Sequence, residues 1–130
     1  MNRRTLITSA LASTALAGPL QAQSKLQVIY IGGWDCGPCN YWKSTYKKDW
    51  LASPEYKQVT WIEIEAPHLK EAYEDRYWPT ELRPVRDQLP VKAGTPRFVI
   101  VKDGKVVSNQ FRGDDFWTRT VADIKKGLAG

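Results

Sequence analysis

Residues 36–39 read Cys-Gly-Pro-Cys, and Cys36 and Cys39 are the only two cysteines among 130 residues. An apolar run over 26–31 precedes the pair and predicts a β-strand, and a helix-permissive stretch follows over 40–51. We therefore expect Cys36 on a strand-to-helix turn, at or just before the helix N-terminus. Unpaired backbone N–H groups and the helix dipole stabilise a thiolate there. The thiolate is the species that attacks a disulfide.

A single cysteine pair with this spacing favours a reactive role over a stabilising one. Small exported domains that depend on disulfides usually carry several of them. The ring that Cys36 and Cys39 can close is very short, so it removes little entropy from the unfolded chain. An inert structural disulfide is the alternative.

The first 22 residues have the layout of a secretory signal peptide. Arg3-Arg4 makes the start positive, residues 5–17 are apolar and uncharged, and Ala22 ends a small-residue cleavage site, with Ala17 as a rival. The apolar part is too short to span a membrane. The paired arginines leave open whether export would use the general or the twin-arginine route. We expect one mature domain over 23–130, periplasmic or secreted.

The charge pattern argues against nucleic-acid binding. The full chain has a formal charge of +5. Removing the signal peptide with its two arginines and no acidic residue leaves +3. Lysine and arginine are interleaved with aspartate and glutamate and form no basic block.

The remaining pattern predicts an α/β layout around a mixed sheet. Trp42, Tyr46 and Trp50 recur at helical spacing and are expected to pack on the sheet. Asp103-Gly104 lies between two strand-like runs, a strong hairpin signal. Asp114 or Asp115 could cap the last helix. The predicted strands cover 26–31, 59–66, 97–102 and 105–108, and the predicted helices cover 40–51, 67–78, 79–89 (a weaker one) and 116–128.

Four features together resemble the thioredoxin family. They are Cys36-Gly37-Pro38-Cys39 after a strand, Gly94-Thr95-Pro96 before a strand, the hairpin over 98–107 and the C-terminal amphipathic helix. The resemblance covers residues 24–130. It implies a thioredoxin fold, a mixed central sheet flanked by helices, with an inserted helical segment at 68–78 before the cis-proline loop. It also implies thiol–disulfide oxidoreductase activity, in the reducing direction that accompanies Cys-Gly-Pro-Cys in this family.

The sequence departs from the family pattern at two positions near the cysteines. Thioredoxins usually carry tryptophan immediately before the first cysteine, where this chain has Asp35, preceded by Trp34. They often carry a buried aspartate six residues before that cysteine, where this chain has Tyr30. These differences bear on the reduction potential and the partner.

We expect Cys36 to be the nucleophile and Cys39 to resolve the mixed disulfide. The N-terminal cysteine should be the more exposed one, and the helix N-terminus favours its thiolate. Gly37 and Pro38 form the active-site turn, because proline fixes φ and lacks the N–H that a helix start leaves unpaired.

The resemblance implies a substrate-binding edge formed by Thr95 and Pro96. The Thr95–Pro96 bond is expected to be cis, which costs little before proline, and the Thr95 backbone would pair with an extended substrate segment. An ordinary trans proline that opens a strand is the alternative. Trp34 offers an apolar contact for substrate, with core packing as its alternative.

A proton acceptor for Cys39 is sought among the acidic residues of the second strand. Glu63 and Glu65 are candidates, and Glu63 is our hypothesis, since burial would raise its pKa toward neutrality. A solvated position at the edge of the sheet is the alternative for Glu63. Asp35 should oppose the Cys36 thiolate and raise the pKa of that thiol.

No cofactor is expected. A metal site formed by Cys36, Cys39 and His68 would lack a recognisable fourth ligand, so His68 is better read as a surface residue. The expected partners are protein thiols and disulfides and a membrane thiol protein as electron donor, and a monomer is expected. The competing function is a thioredoxin-fold module that binds a client or a metal without turnover.

Overall fold

A computed structural model describes residues 26–130. The expected signal peptide over 1–22 lies outside the described residues. Among residues 26–130, no helix is both long enough and apolar enough to cross a membrane. The strands are β1 (Leu26–Gly33), β2 (Val59–Ala66), β3 (Arg97–Lys102) and β4 (Lys105–Phe111).

Helices connect these strands. The helix after β1 has three parts, α1 (Gly37–Trp42), a π-helical turn (Lys43–Lys47) and α2 (Lys48–Leu51). The later helices are α3 (Arg83–Arg86) and α4 (Val121–Ala129), which follows a second π-helical turn (Phe116–Thr120). Short 3₁₀ turns lie at Tyr56–Gln58, Leu69–Glu71, Asp75–Tyr77 and Thr80–Leu82.

The four strands form one mixed sheet in the order β2-β1-β3-β4. Strand β1 is parallel to β2 and antiparallel to β3, and β3 and β4 form an antiparallel hairpin. Asp103 has φ of 52° and Gly104 has φ of 81°, the left-handed backbone that a two-residue hairpin turn requires. The predicted α/β architecture and the Asp-Gly hairpin are therefore confirmed.

Strand β1 separates two hydrophobic layers. Side chains alternate between the faces of a strand, so Val28 and Tyr30 face one layer while Ile29 and Ile31 face the other. All four are fully buried because both faces of the sheet are covered. The first layer also contains the two cysteines, and the second packs beneath the segment between β2 and β3.

The predicted aromatic stripe packs on the sheet. Trp42 and Trp50 are fully buried, and Tyr46 packs at the margin of the same layer. The ring of Trp42 lies 5.1 Å from that of Phe98 on β3. These contacts make the stripe part of the core and fix the helix after β1 against the sheet.

The prediction of a surface helix over 67–78 is wrong. An α-helix needs each carbonyl for a backbone N–H four residues later, but side chains take two of these carbonyls. The indole Nε1 of Trp78 donates to the Ala72 carbonyl at 2.8 Å, and Arg86 Nη1 donates to the Tyr73 carbonyl at 3.0 Å. Ala72, Tyr73 and Trp78 are all buried, a spacing that does not fall on one helical face. The inserted segment is present, but it consists of 3₁₀ turns.

The last helix is not capped by an aspartate side chain in the way that the sequence predicted. Asp115 occupies the N-cap position of the π-helical turn, but its side chain makes no capping hydrogen bond. Its main-chain carbonyl accepts from the Arg119 N–H at 2.8 Å instead. The weaker helical piece predicted over 79–89 is confirmed as a 3₁₀ turn and α3.

Gly33→Ala should destabilise the fold, and Gly37→Ala should not. A β-carbon on Gly33 would lie 2.6 Å from the Leu69 Cα, so two backbone segments would have to separate. Such overpacking costs about 1–3 kcal/mol. A β-carbon on Gly37 would meet nothing within 4 Å. Urea denaturation of both variants measures the difference, and equal midpoints would contradict the close packing of these segments.

Candidate active site

Cys36 and Cys39 form a disulfide at the start of the helix that follows β1. Cys36 is the N-cap residue, as expected from the sequence, and its carbonyl accepts the Asn40 N–H at 3.0 Å. The Cys39 N–H donates to Cys36 Sγ at 3.1 Å. A helix N-terminal N–H therefore already faces the sulfur on which a thiolate would form.

A second donor reaches the same sulfur from the loop before β3. The Thr95 hydroxyl donates to Cys36 Sγ at 3.2 Å, and the Thr95–Pro96 bond is cis, as expected. A hydrogen bond to the charged form of a group favours that form. The sequence pointed to the backbone of Thr95 and missed this role of its side chain, which only the approach of the two loops reveals.

Cys36 is expected to be the more exposed cysteine, but it is buried almost as completely as Cys39. Its residue exposure is 1%, against 0% for Cys39. The Thr95 side chain packs against its sulfur, whereas Trp34 points outward with 65% of its surface exposed. Core packing of Trp34 is thereby ruled out, and its indole is exposed two residues before the buried Cys36 in the chain.

Gly37 and Pro38 are exposed and complete the turn between the two cysteines. Pro38 lies in the first turn of α1, where its missing N–H leaves no hydrogen bond unmade. The two residues therefore shape the helix start without covering the disulfide.

The expectation that the pKa of Glu63 is raised toward neutrality is wrong, because the net shift is downward. Partial burial does act to raise the pKa, but hydrogen bonds from Trp61 and Lys47 and the charges of Lys47 and Lys43 outweigh it and lower the pKa. Lys47 Nζ lies 2.9 Å from Glu63 Oε2. An ion-paired carboxylate with a lowered pKa is a weak base near neutrality.

A series of three connected polar side chains lies at the hydrophobic layer that contains the cysteines. The hydroxyl of the fully buried Tyr30 donates to Glu65 Oε2 at 3.2 Å, and Lys43 forms a salt bridge with the same oxygen. Burial, the charge of Glu65 and this hydrogen bond raise the pKa of Tyr30 far above its ordinary range. Tyr30 is thus a neutral hydrogen-bond donor. Its buried phenol is hydrogen-bonded to the ion pair of Glu65 and Lys43.

The Asp35 carboxylate is held by the segment that follows β2. Its Oδ1 accepts the Leu69 N–H at 2.8 Å, and its Oδ2 lies 3.5 Å from His68 Nδ1. The hydrogen bond from Leu69, with smaller contributions from His68, lowers the pKa of Asp35. Within residues 26–130, no group of three histidine, cysteine, aspartate or glutamate side chains is placed to hold a metal ion.

Solved structures with the same fold include several thioredoxins. The periplasmic thioredoxin SoxS from Paracoccus pantotrophus, in its reduced form, is 17% identical, with a TM-score of 0.59 over 80% of this chain and 99% of that one. Thioredoxin f from spinach chloroplast is 20% identical, with a TM-score of 0.54 over 85% of this chain and 84% of that one.

A third similar structure is a thioredoxin f2 in complex with ferredoxin:thioredoxin reductase. It is 21% identical, with a TM-score of 0.55 over 84% of this chain and 83% of that one. No protein-family profile and no curated protein sequence matches this chain. The likeness at these identities establishes the thioredoxin fold, as the sequence resemblance implied.

Thr95→Val should raise the pKa of the Cys36 thiol in the reduced protein. The substitution keeps the shape of the side chain and removes the donor that faces Cys36 Sγ. A hydrogen bond to a charged group contributes about 1.5–3 kcal/mol, so we expect a rise of about one pKa unit or more. Thiolate absorbance across pH measures it. Thr95→Ser, which keeps the hydroxyl, is the control and should titrate like the parent.

Glu63→Gln should leave the pH dependence of disulfide reduction near neutrality unchanged. The ion pair with Lys47 and the bond from Trp61 keep Glu63 ionised throughout that range. Reduction rates between about pH 6 and 8 test this. A profile displaced by the substitution would restore Glu63 as the proton acceptor.

Proposed function

We propose that this chain is a thiol–disulfide oxidoreductase that exchanges the Cys36–Cys39 couple with protein substrates outside the cytosol, in the reducing direction. One observation carries the proposal. Cys36 Sγ accepts hydrogen bonds from a helix N-terminal N–H and from the Thr95 hydroxyl. Both donors would stabilise a thiolate relative to a thiol, and a disulfide with only a structural role has no use for that arrangement.

The exchange balances without a cofactor. In the reduced protein, the Cys36 thiolate attacks one sulfur of a substrate disulfide, and the other substrate sulfur leaves as a thiolate and takes up a proton. Cys39 then gives up its proton and attacks Cys36 Sγ as a thiolate, and the second substrate sulfur is expelled as a thiolate that takes up a proton. The Cys36–Cys39 disulfide re-forms, and two electrons have passed to the substrate.

Substrate contact would involve the exposed Trp34 and the edge at Thr95–Pro96. Trp34, two residues before Cys36 in the chain, presents an exposed apolar ring. The cis Thr95–Pro96 segment lies against Cys36, where its backbone could pair with an extended substrate segment. A partner sulfur on that segment would approach Cys36 along the same edge.

The proposed setting rests on the N-terminal sequence and on one neighbour. The signal-peptide layout of residues 1–22 favours export, and SoxS is described as a periplasmic thioredoxin. A reductase outside the cytosol needs a thiol donor, which we propose to be a membrane thiol protein. The complex of a similar thioredoxin with a reductase supports this kind of partnership. We propose that the protein acts as a monomer.

Protein expressed from the full-length sequence should reduce a model protein disulfide catalytically when dithiothreitol supplies the electrons. Cys36→Ser should abolish the reaction, because the nucleophile is lost. Cys39→Ser should accumulate a mixed disulfide with the substrate, because nothing resolves it. Insulin turbidity and non-reducing gels measure the two effects.

The direction is tested by thiol trapping across graded redox buffers. A reductase should have a potential near that of thioredoxin, about −270 mV, whereas a value near −120 mV would indicate an oxidant. Reaction that stops after one turnover, with client binding that survives Cys36→Ser, would instead indicate a binding module.

A further inference from the structure

The segment over 67–78, here named the strap, joins the two loops that meet at the disulfide. Its first anchor is on the active-site turn. The Leu69 N–H donates to Asp35 Oδ1 at 2.8 Å. The Leu69 backbone also packs on Gly33 so closely that a β-carbon there would lie 2.6 Å from the Leu69 Cα. This end of the strap is therefore fixed to the residues just before Cys36.

The second anchor of the strap is on the loop before β3. The hydroxyl of the buried Tyr73 donates to the Gly94 carbonyl at 2.7 Å and accepts from Arg97 Nε at 3.0 Å. Arg86 Nη1 donates to the Tyr73 carbonyl at 3.0 Å and holds the strap backbone in place. Gly94 directly precedes Thr95, whose hydroxyl reaches Cys36 Sγ.

Arg97 orients this anchor and forms no ion pair among residues 26–130. Its exposure is 9%, and its other donors go to neutral oxygens, the Ala93 carbonyl at 2.6 Å and Asn109 Oδ1 at 2.9 Å. Burying a guanidinium is costly unless its donors are satisfied. Here they are satisfied by the loop and by Tyr73, so the position of Arg97 and the conformation of the loop depend on each other.

We propose that Tyr73 is a positioning residue for disulfide exchange, whose hydroxyl holds the loop at Gly94 so that Thr95 stays in hydrogen-bonding contact with Cys36. The proposal rests on the exchange reaction proposed above and adds to it a residue that touches neither sulfur. The loop position sets how well Thr95 stabilises the Cys36 thiolate and where the Thr95–Pro96 edge meets a substrate segment. The strap makes both properties depend on Tyr73.

Tyr73→Phe and Tyr77→Phe form a matched pair that tests this role. Each removes one hydroxyl from the strap, but that of Tyr77 donates to Glu71 Oε1, which lies within the strap, and not to the loop. We expect Tyr73→Phe to raise the pKa of the reduced Cys36 thiol and to raise KM for the protein disulfide about 2- to 10-fold, the effect of one hydrogen bond, with a smaller change in kcat. Tyr77→Phe should match the parent in both measurements.

Equal Cys36 pKa and KM values in the two variants would overturn the proposal, whatever their stabilities. The pKa comparison uses thiolate absorbance and needs no turnover. A parent protein without catalytic activity would therefore refute the proposed function and still leave the role of Tyr73 to be decided by the pKa.

If Tyr73→Phe fails to fold, the half-exposed Asp35 at the other anchor supplies the test. Asp35→Ala and Asp35→Asn both remove the charge, but only asparagine keeps an acceptor for the Leu69 N–H. We expect a higher Cys36 pKa and a higher KM in Asp35→Ala than in Asp35→Asn. Identical values in this pair would overturn the coupling of the strap to the disulfide.

Discussion

The hydrogen bond from Thr95 to Cys36 Sγ joins two residues that are 59 positions apart, and the site depends on how the sheet brings them together. Strand β1 pairs with β3 in an antiparallel register that sets Ile31 opposite Arg97. The chain leaving the end of β1 toward Cys36 therefore passes beside the chain entering β3 from Thr95. Strand pairing thus delivers a hydroxyl donor to the sulfur that the helix N-terminus already faces.

Tyr30 stands where thioredoxins often carry a buried aspartate, and the neighbouring residues accommodate its larger side chain. Tyr30 is buried and stacks on Trp42, with ring centroids 5.2 Å apart. Its hydroxyl occupies space that a β-carbon on Gly32 would overlap, so the glycine leaves room for it. Glu65 accepts the hydrogen bond from the phenol and is itself paired with Lys43. A buried tyrosine is compatible with this fold because its polar end reaches an ion pair at the margin of the core.

Local signals predicted the elements whose hydrogen bonds are local. The Cys36–Cys39 turn, the strand over 59–66 and the Asp103–Gly104 hairpin follow from short patterns, and they are present in the structure. The strap does not follow from its own sequence, because carbonyls within it are taken by side chains such as Arg86, which lies 13 residues beyond Tyr73. The residues buried in that segment, Ala72, Tyr73 and Trp78, do not share one helical face.

The sequence by itself determined that a cysteine pair stands at a helix start after a buried strand, because residue spacing and turn chemistry act over a few residues. It also determined the mixed sheet, through alternation and the hairpin turn. Only the tertiary structure decided that the Thr95 hydroxyl reaches Cys36 Sγ. It likewise decided that Asp35 and Tyr73 hold the strap to the two loops beside the disulfide. It also decided that Glu63 is ion-paired. Hydrogen bonds and pKa values depend on distances between chain segments, and those distances exist only once the sheet has brought the segments together.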